Sequence, residues 1–174
     1  MSKFEKEVEM KFKIDKDFVS KLKNIKLESY EEVDEYFFTK DNVDSDIYLR
    51  FRKKKGKIFL GLKIITLGGE KSKDVYEADE IETELTQEQY ENIKKIFNLF
   101  FPINMQVRKI RSKGKFNECE ICIDKVDDLG DFLEIEGPRD KILEICKNFN
   151  IDLDKRDRER GYVKMTLKKM GFIW

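Results

Sequence analysis

Charged and apolar residues alternate along most of the extended segments of this chain. In the first segment, residues 5–14, every odd position is charged, and the even positions from Val8 to Ile14 are apolar. Successive side chains of a β-strand point to opposite faces of its sheet. Each such segment therefore has one charged face and one apolar face. A sheet built from these strands must bury its apolar side, and this requirement limits the fold more than any other feature.

The rest of the chain supplies strands and the helices to cover them. Eight segments have the length and alternation of strands: residues 5–14, 34–39, 46–53, 57–65, 75–85, 105–112, 116–124 and 131–136. Four have apolar residues at helical spacing: residues 15–28, 86–101, 138–149 and 157–170. Gly56 and the pair Gly68–Gly69 are typical of hairpin turns. The sequence predicts an α+β fold in one domain, residues 1–174, with helices packed on the apolar side of a mostly antiparallel sheet.

Two architectures would explain the charged strand faces. A flat sheet could turn them to water, which is the usual meaning of such a face, and the spacing alone favours this interpretation. Alternatively, the sheet closes into a barrel that encloses the charges. Like charges two residues apart, as at Arg50 and Arg52 or at Glu80 and Glu82, lie about 7 Å apart and repel without a counter-ion. Paired glutamates are natural ligands of divalent cations, and paired arginines or lysines bind phosphate.

Composition excludes several classes of function. The 36 basic side chains balance 36 acidic ones, which argues against a generally basic nucleic-acid-binding protein. The sequence has no apolar run long enough to span a bilayer and no hydrophobic signal core at its beginning, so we expect a cytoplasmic protein that binds neither nucleic acid nor membrane. The absence of histidine removes catalytic triads and histidine zinc sites. Cys119 and Cys122 lie three apart on a predicted strand and should face opposite ways, as packed thiols rather than as one metal or redox centre.

Several motifs resemble those of one family. The stretch Glu7-Val-Glu9-Met-Lys11 resembles the ExExK signature of the CYTH superfamily, the triphosphate tunnel metalloenzymes. The family's later motifs follow in the same order: Leu49-Arg50-Phe51-Arg52, Leu60-Gly-Leu-Lys63, Glu80-Ile-Glu82, Lys109-Ile-Arg111, Ile123-Asp124-Lys-Val126 and Leu129-Gly130-Asp-Phe132-Leu-Glu134-Ile-Glu136. The resemblance spans residues 5–136. The superfamily includes class IV adenylyl cyclases, thiamine triphosphatases and inorganic triphosphatases.

The resemblance implies a closed eight-stranded antiparallel β-barrel that binds a triphosphate inside and carries its helices outside. The implied phosphate ligands are Lys11, Arg50, Arg52, Lys63, Lys109 and Arg111. The implied ligands of Mg²⁺ or Mn²⁺ are Glu7, Glu9, Asp124, Glu134 and Glu136, with Glu80 and Glu82 as further candidates. Lys11 is also the candidate catalytic residue, because the lysine of ExExK is thought to help activate water in hydrolytic relatives. A lysine acts as a base only when its pKa is depressed.

The resemblance is greatest to the class IV adenylyl cyclase branch, which implies conversion of ATP to cyclic AMP and pyrophosphate. A triphosphatase acting on inorganic or organic triphosphates is the alternative. A triphosphate-binding module without activity is the third interpretation, and Gly61 and Ala78, which replace residues common in the family, favour it. A small-molecule triphosphate is the expected partner, and a homodimer remains open.

The basic tail from Lys155 to Lys164 has two interpretations. A run of charge is most often the solvated face of a helix. Alternatively, Arg156, Arg158 or Arg160 reaches the mouth of the tunnel and closes over the substrate.

Overall fold

The computed structural model describes residues 4–67, 75–158 and 161–172, and the described chain forms eight strands and four helices. The strands are β1 (Glu5–Lys13), β2 (Glu28–Phe38), β3 (Ile47–Lys54), β4 (Lys57–Leu67), β5 (Tyr76–Leu85), β6 (Ile103–Phe116), β7 (Cys119–Val126) and β8 (Gly130–Glu136). The helices are α1 (Lys16–Lys21), α2 (Gln87–Phe100), α3 (Arg139–Asn148) and α4 (Gly161–Lys169), with a 3₁₀ turn at Leu153–Lys155. Within these ranges, no helix has the length and hydrophobicity needed to cross a membrane.

The strands close into an antiparallel barrel in the order β1-β5-β4-β3-β2-β6-β7-β8. Strand β1 completes the circle, because its first half pairs with β5 and its second half with β8. Glu9 sits at the crossing point, opposite Tyr76 on one side and Glu136 on the other. The α+β barrel implied by the family resemblance is confirmed, and the flat sheet favoured by spacing alone is wrong.

The apolar strand faces point outward, beneath the helices. Met10, Leu133 and Ile135 are almost fully buried in a cluster that includes Ile142 and Ile145 of α3. This arrangement inverts an ordinary small barrel, whose interior is filled with apolar side chains. The charged faces are therefore left to line the interior.

Helix α2 packs on the outside of the barrel, in an apolar cluster with side chains of β2, β3 and β4. Thr86 and Gln89 form a capping box at its N-terminus, as the sequence predicts. The ring of Phe97 lies 5.2 Å from that of Phe37, and the ring of Tyr90 lies 4.9 Å from that of Phe51, measured between centroids. These aromatic contacts fix the helix on the sheet.

Helix α4 closes one end of the barrel interior. Its residues Tyr162, Val163 and Leu167 are buried among inward-facing side chains that include Tyr36 and Tyr48. Lys164, which is also buried, donates hydrogen bonds to the Val43 carbonyl at 3.1 Å and to Asp44 Oδ1 at 2.7 Å. These contacts hold α4 to the loop between β2 and β3.

Several predicted boundaries differ from the structure. Helix α1 ends at Lys21, and β2 already begins at Glu28, so the predicted helix over residues 15–28 is too long. Leu22 and Ile25 produce the helical spacing, but they reach the core from turns after the helix. Helix α4 begins at Gly161 rather than near residue 157. The predicted turn at Gly68–Gly69 lies outside the described residues.

The two neighbouring cysteines face opposite ways, as the sequence predicts. Cys119 is buried in the outer core against α3, whereas Cys122 lines the barrel interior. Both thiols are free. One metal or redox centre cannot use both of them.

Candidate active site

The barrel interior gathers all of the basic residues that the sequence predicts as phosphate ligands. One cavity is lined by Lys11, Arg50, Arg52, Lys63, Lys109 and Arg111. The residues Lys11, Arg50 and Lys109 are only 5%, 4% and 3% exposed. Cations this deeply buried are costly unless they are paired with opposite charge. We refer to this charged interior as the tunnel.

Strand β2 supplies the partners of Arg52. Its guanidinium makes a bidentate contact with Asp34, with Nε 2.7 Å from Oδ1 and Nη2 2.8 Å from Oδ2. Glu32 lies 3.4 Å from the same Nε and 2.9 Å from Lys109 Nζ. Both acids are 1% exposed. Bidentate arginine–carboxylate pairs fix direction as well as charge, so Arg52 is held in one orientation.

Arg111 is paired in the same way on the other side of the tunnel. Its Nε and Nη2 atoms lie 2.7 and 2.5 Å from the two oxygens of Asp124. The same Nη2 also contacts Glu134. Tyr162 of α4 donates a hydrogen bond to Asp124 Oδ2 at 2.9 Å. Asp124 is therefore held by a strand and by the helix that closes the barrel.

Arg50 lies across β4 because position 61 has no side chain. Arg50 contacts Glu80 and lies 3.0 Å from Glu82 Oε1. A Cβ atom at Gly61 would come within 3.3 Å of Glu82 Cγ and 3.5 Å of Arg50 Nε. A larger residue there would crowd this pair. Gly61, a departure from the family pattern, thus has a structural role in this chain.

Lys11 lies between a carboxylate and an aromatic ring. Its Nζ atom is 2.7 Å from Glu134 Oε1 and 4.1 Å from the centroid of the Tyr162 ring. Burial lowers the pKa of Lys11, but the carboxylates of Glu134, Glu9 and Asp157 outweigh it and hold this pKa above its usual value. In this arrangement Lys11 is a cation. Its predicted role as a base would require Glu134 to move away.

The predicted metal ligands Glu7 and Glu136 have opposite electrostatic environments. Burial raises the pKa of Glu7, but Lys63, whose Nζ is 2.5 Å away, outweighs it and lowers that pKa to about 2. Burial and the charges of Glu7, Glu120 and Glu9 raise the pKa of Glu136 to about 7. Burial likewise raises the pKa of Glu80 to about 7, although Arg50 and Lys63 oppose the shift. A bound cation would stabilise the charged form of carboxylates that repel each other in this way.

The donor chemistry fits Mg²⁺ or Mn²⁺, since both ions prefer carboxylate oxygens. Glu7, Glu9, Asp124, Glu134 and Glu136 all belong to strands of the tunnel wall, and all but Asp124 line the cavity itself. Among residues 4–67, 75–158 and 161–172, however, no three acidic or thiol side chains converge closely enough to hold a metal ion. The lysines and arginines keep the carboxylates apart. Metal binding here requires these ion pairs to separate.

Sequence reasoning missed three residues that contact the tunnel cations: Glu32, Asp34 and Tyr162. Glu32 lies in the part of β2 that precedes the predicted strand, residues 34–39. Extending the alternation back from Asp34 would have placed both acids on one face, which was the available signal. Tyr162 approaches Asp124 from 38 residues away in the chain, and no local pattern predicts such a contact.

Two arginines of the basic tail lie outside the tunnel. Arg156 and Arg158 line a groove on the outer side of α4, and neither is among the residues that line the tunnel cavity. Arg160 lies outside the described residues. The suggested closure of the tunnel mouth by Arg158 therefore does not describe this arrangement.

The chain is similar to known proteins along most of its length. The sequence profile of the CYTH domain matches residues 5–162. A Methanocaldococcus jannaschii protein, whose name proposes that it is an adenylate cyclase, is 34% identical over 179 residues. That match covers 91% of this chain and 97% of the relative.

Solved structures share the fold. The PH1012 protein of Pyrococcus horikoshii superposes with a TM-score of 0.74 at 25% identity, over 91% of this chain and 98% of that one. A Hippeastrum protein described as having a dominant triphosphatase activity superposes with a TM-score of 0.65 at 18% identity, over 97% of each chain. The second likeness is one of fold alone.

Proposed function

Because the chain belongs to the CYTH family, we propose that it is a divalent-metal-dependent enzyme that converts ATP to cyclic AMP and pyrophosphate in the tunnel. One observation carries the proposal: the six cations predicted as phosphate ligands lie in one buried cavity. The name of the Methanocaldococcus jannaschii relative supports the cyclase activity over others. The sequence motifs that resemble the cyclase branch also favour cyclase activity.

Phosphate oxygens can replace the carboxylates that now pair with the tunnel cations. Lys11 has Glu134 at 2.7 Å and Lys63 has Glu7 at 2.5 Å, and each lysine also has Glu9 at 3.7 Å. A triphosphate presents the same anionic oxygens at higher charge density, so it would compete for these lysines. Arg52 and Arg111 are oriented by bidentate contacts before the ligand arrives. Such preorganisation favours binding, because little side-chain entropy remains to be lost.

The acidic side chains of the tunnel would hold the metal. The set is the one predicted from the sequence: Glu7, Glu9, Asp124, Glu134 and Glu136. A bound Mg²⁺ or Mn²⁺ would neutralise phosphate charge and favour deprotonation of the attacking hydroxyl. Glu80 and Glu82 contact Arg50 and would instead keep that guanidinium in place.

The residues of the tunnel then position the reacting groups. In cyclisation, the ribose 3′-oxygen forms a bond to the α-phosphorus while the bond from that phosphorus to the bridging oxygen of pyrophosphate breaks. Lys11, Lys63, Lys109 and the arginines would bind the phosphates and stabilise the charge that develops on the leaving group. A protonated Lys11 suits this electrostatic role. A role for Lys11 as a base stays a prediction.

A triphosphatase is the second candidate. The Hippeastrum protein with a dominant triphosphatase activity has the same fold, and the same cations would bind a triphosphate attacked by water instead of by a ribose hydroxyl. The two candidates differ in the bond that is cut and in the products. A binding module without turnover is the third outcome.

A product-resolved assay tests the proposal. Purified protein is incubated with ATP, and in parallel with inorganic triphosphate, with Mg²⁺, with Mn²⁺ or with a chelator, and the products are followed by chromatography and ³¹P NMR. We expect cyclic AMP and pyrophosphate from ATP only when metal is present. Orthophosphate would assign a triphosphatase instead, and saturable binding without products would leave only the binding module.

A pair of arginine variants shows whether the tunnel is responsible. We expect Arg50→Gln to lower turnover at least a hundredfold, because it removes a buried phosphate-binding cation. Arg108→Gln is the matched control, since Arg108 is exposed on the outside of the barrel, where it pairs with Glu31. Circular dichroism verifies that both variants are folded. Equal turnover in the two variants would refute a reaction in the tunnel.

A further inference from the structure

A second concave surface lies outside the tunnel, against α4. Its walls are the end of β1, the turn at residues 127–129, the segment 153–158 and the outer side of α4. Among the described residues that line it, six side chains are basic and two, Asp128 and Asp157, are acidic. The basic set is Lys13, Lys155, Arg156, Arg158, Lys168 and Lys169. We refer to this surface as the α4 groove.

The excess of positive charge is local to the α4 groove. The whole chain carries 36 basic and 36 acidic residues, so six against two departs from its average. The charge of Asp154 does little to offset it. Asp154 lies 3.8 Å from Arg158, but the two side chains are 92% and 54% exposed, and exposed pairs at this distance are weak. Asp157 accepts a hydrogen bond from the N–H of Gly161 at the start of α4.

Helix electrostatics explain only part of this cluster. Lys168 and Lys169 lie in the last turn of α4, where cations usually complement the helix dipole. Lys13 comes from β1, and Lys155 and Arg158 come from the segment before α4. These side chains converge from separate elements around an apolar floor of Leu129, Phe132 and Met165. A solvated helix face would not gather cations from three parts of the chain.

An aromatic pair separates the α4 groove from the tunnel. Phe132 lines the groove and Tyr162 lines the tunnel, and their ring centroids are 5.1 Å apart in an edge-to-face contact. The two cavities share none of their lining residues. Lys11 belongs to the tunnel, whereas Lys13, two residues further along β1, belongs to the groove. A ligand in one cavity does not occupy the other.

We propose that the α4 groove is a second anion site, which binds a small ligand with clustered phosphate groups. Arginine and lysine side chains that converge on a concave surface bind phosphate through charge-assisted hydrogen bonds. A nucleic acid would need a long basic stripe that follows its backbone, whereas this cluster is confined to one groove. This proposal does not depend on the reaction proposed for the tunnel.

Isothermal titration calorimetry with inorganic triphosphate tests the site. The titration is made in a chelator, so that turnover in the tunnel does not interfere. The groove variant is Lys155→Gln/Arg158→Gln, which removes two exposed charges. The matched control, Lys95→Gln/Lys147→Gln, removes two exposed charges from α2 and α3. We expect the groove variant to bind one equivalent fewer than the wild type, while the control variant binds the same number.

The number of equivalents lost decides between the two sites. If the tunnel binds no triphosphate, the wild type should bind one equivalent and the groove variant none, which still supports the groove and counts only against the tunnel. Equal stoichiometry in wild type and groove variant would overturn the proposal. Tighter binding of a single-stranded oligonucleotide than of triphosphate, lost in the same variant, would overturn the assignment to a small ligand. A second variant, Lys13→Gln, guards against an effect confined to the segment 153–158.

Discussion

At the residue scale, the tunnel cations have two kinds of carboxylate partner. Glu32 and Asp34 on β2 belong to no predicted metal set, and they contact Arg52 and Lys109. Glu134, by contrast, is shared between Lys11 and Arg111 and is itself a candidate metal ligand. We expect the β2 acids to stay in place when a ligand binds, because both are almost fully buried and Asp34 holds Arg52 in a bidentate contact. They would orient the cations, while phosphate oxygens replace the other carboxylates.

The pH dependence of stability tests the role of Glu32. Burial raises its pKa, but Lys109 and Arg52 outweigh it and lower that pKa from 4.5 to about 2. A carboxyl group whose pKa is depressed by folding stabilises the fold above its unfolded pKa, and this stabilisation disappears as the pH falls from 4.5 towards 2. Urea unfolding across this range should show a larger loss of stability in the wild type than in Glu32→Gln, by an amount on the order of 3 kcal/mol. The variant still loses some stability, because other carboxyls with depressed pKa values, such as Glu7, also titrate.

The neighbouring acid is the control for this experiment. Glu31 has an exposed side chain that pairs with Arg108 on the outside of the barrel. Glu31→Gln should therefore keep the pH dependence of the wild type. The role assigned to Glu32 would be wrong if both variants lost stability with acid as the wild type does.

The hydroxyl group of Tyr162 provides a second test at this scale. It donates a buried hydrogen bond to Asp124, and the ring also packs against Phe132. Tyr162→Phe keeps the ring and removes the bond, so the free energy of unfolding should fall by about 1 kcal/mol. Denaturant unfolding at neutral pH measures the change. Unchanged stability would mean that α4 does not hold Asp124.

At the element scale, α2 stabilises the barrel through one of its two apolar faces. Phe97 packs against Phe37 and Phe51, whereas Phe100, one turn later, is 69% exposed. Phe97→Ala should lower the free energy of unfolding by at least about 2 kcal/mol, because it leaves a cavity under the helix. Phe100→Ala should change it by less than about 0.5 kcal/mol. Similar losses in both variants would place the helix differently on the sheet.

The sequence predicts the elements better than their ends. All eight predicted strands form, because their alternation matches the pleat. Strands β2 and β6 are longer than predicted. Strand β6 spans Ile103–Phe116 instead of residues 105–112, and β2 starts at Glu28 instead of residue 34. Charged Glu31 and Glu35 lie on its outer face and tyrosines on its inner face, which hides the alternation. For this reason the predicted site does not include Glu32.

At the scale of the whole molecule, the barrel encloses charge that a flat sheet would leave in water. The strand motifs identify the tunnel cations, because each lies in a short local pattern. They do not identify Tyr162 or the pairs that β2 makes, because these depend on which elements meet after closure. Closure explains why acids and bases share one strand face: each neutralises the other across the barrel until a ligand takes its place.

A crystal structure with a non-cyclisable ATP analogue and Mn²⁺ shows directly whether a ligand replaces these ion pairs. We expect phosphate oxygens about 3 Å from the nitrogen atoms of Lys11, Arg50, Lys63 and Arg111, with Glu7 moved off Lys63 and Mn²⁺ held by the freed carboxylates. The anomalous signal of Mn²⁺ would identify its ligands. An analogue bound outside the barrel, with the ion pairs of the tunnel unchanged, would contradict binding of the triphosphate in the tunnel.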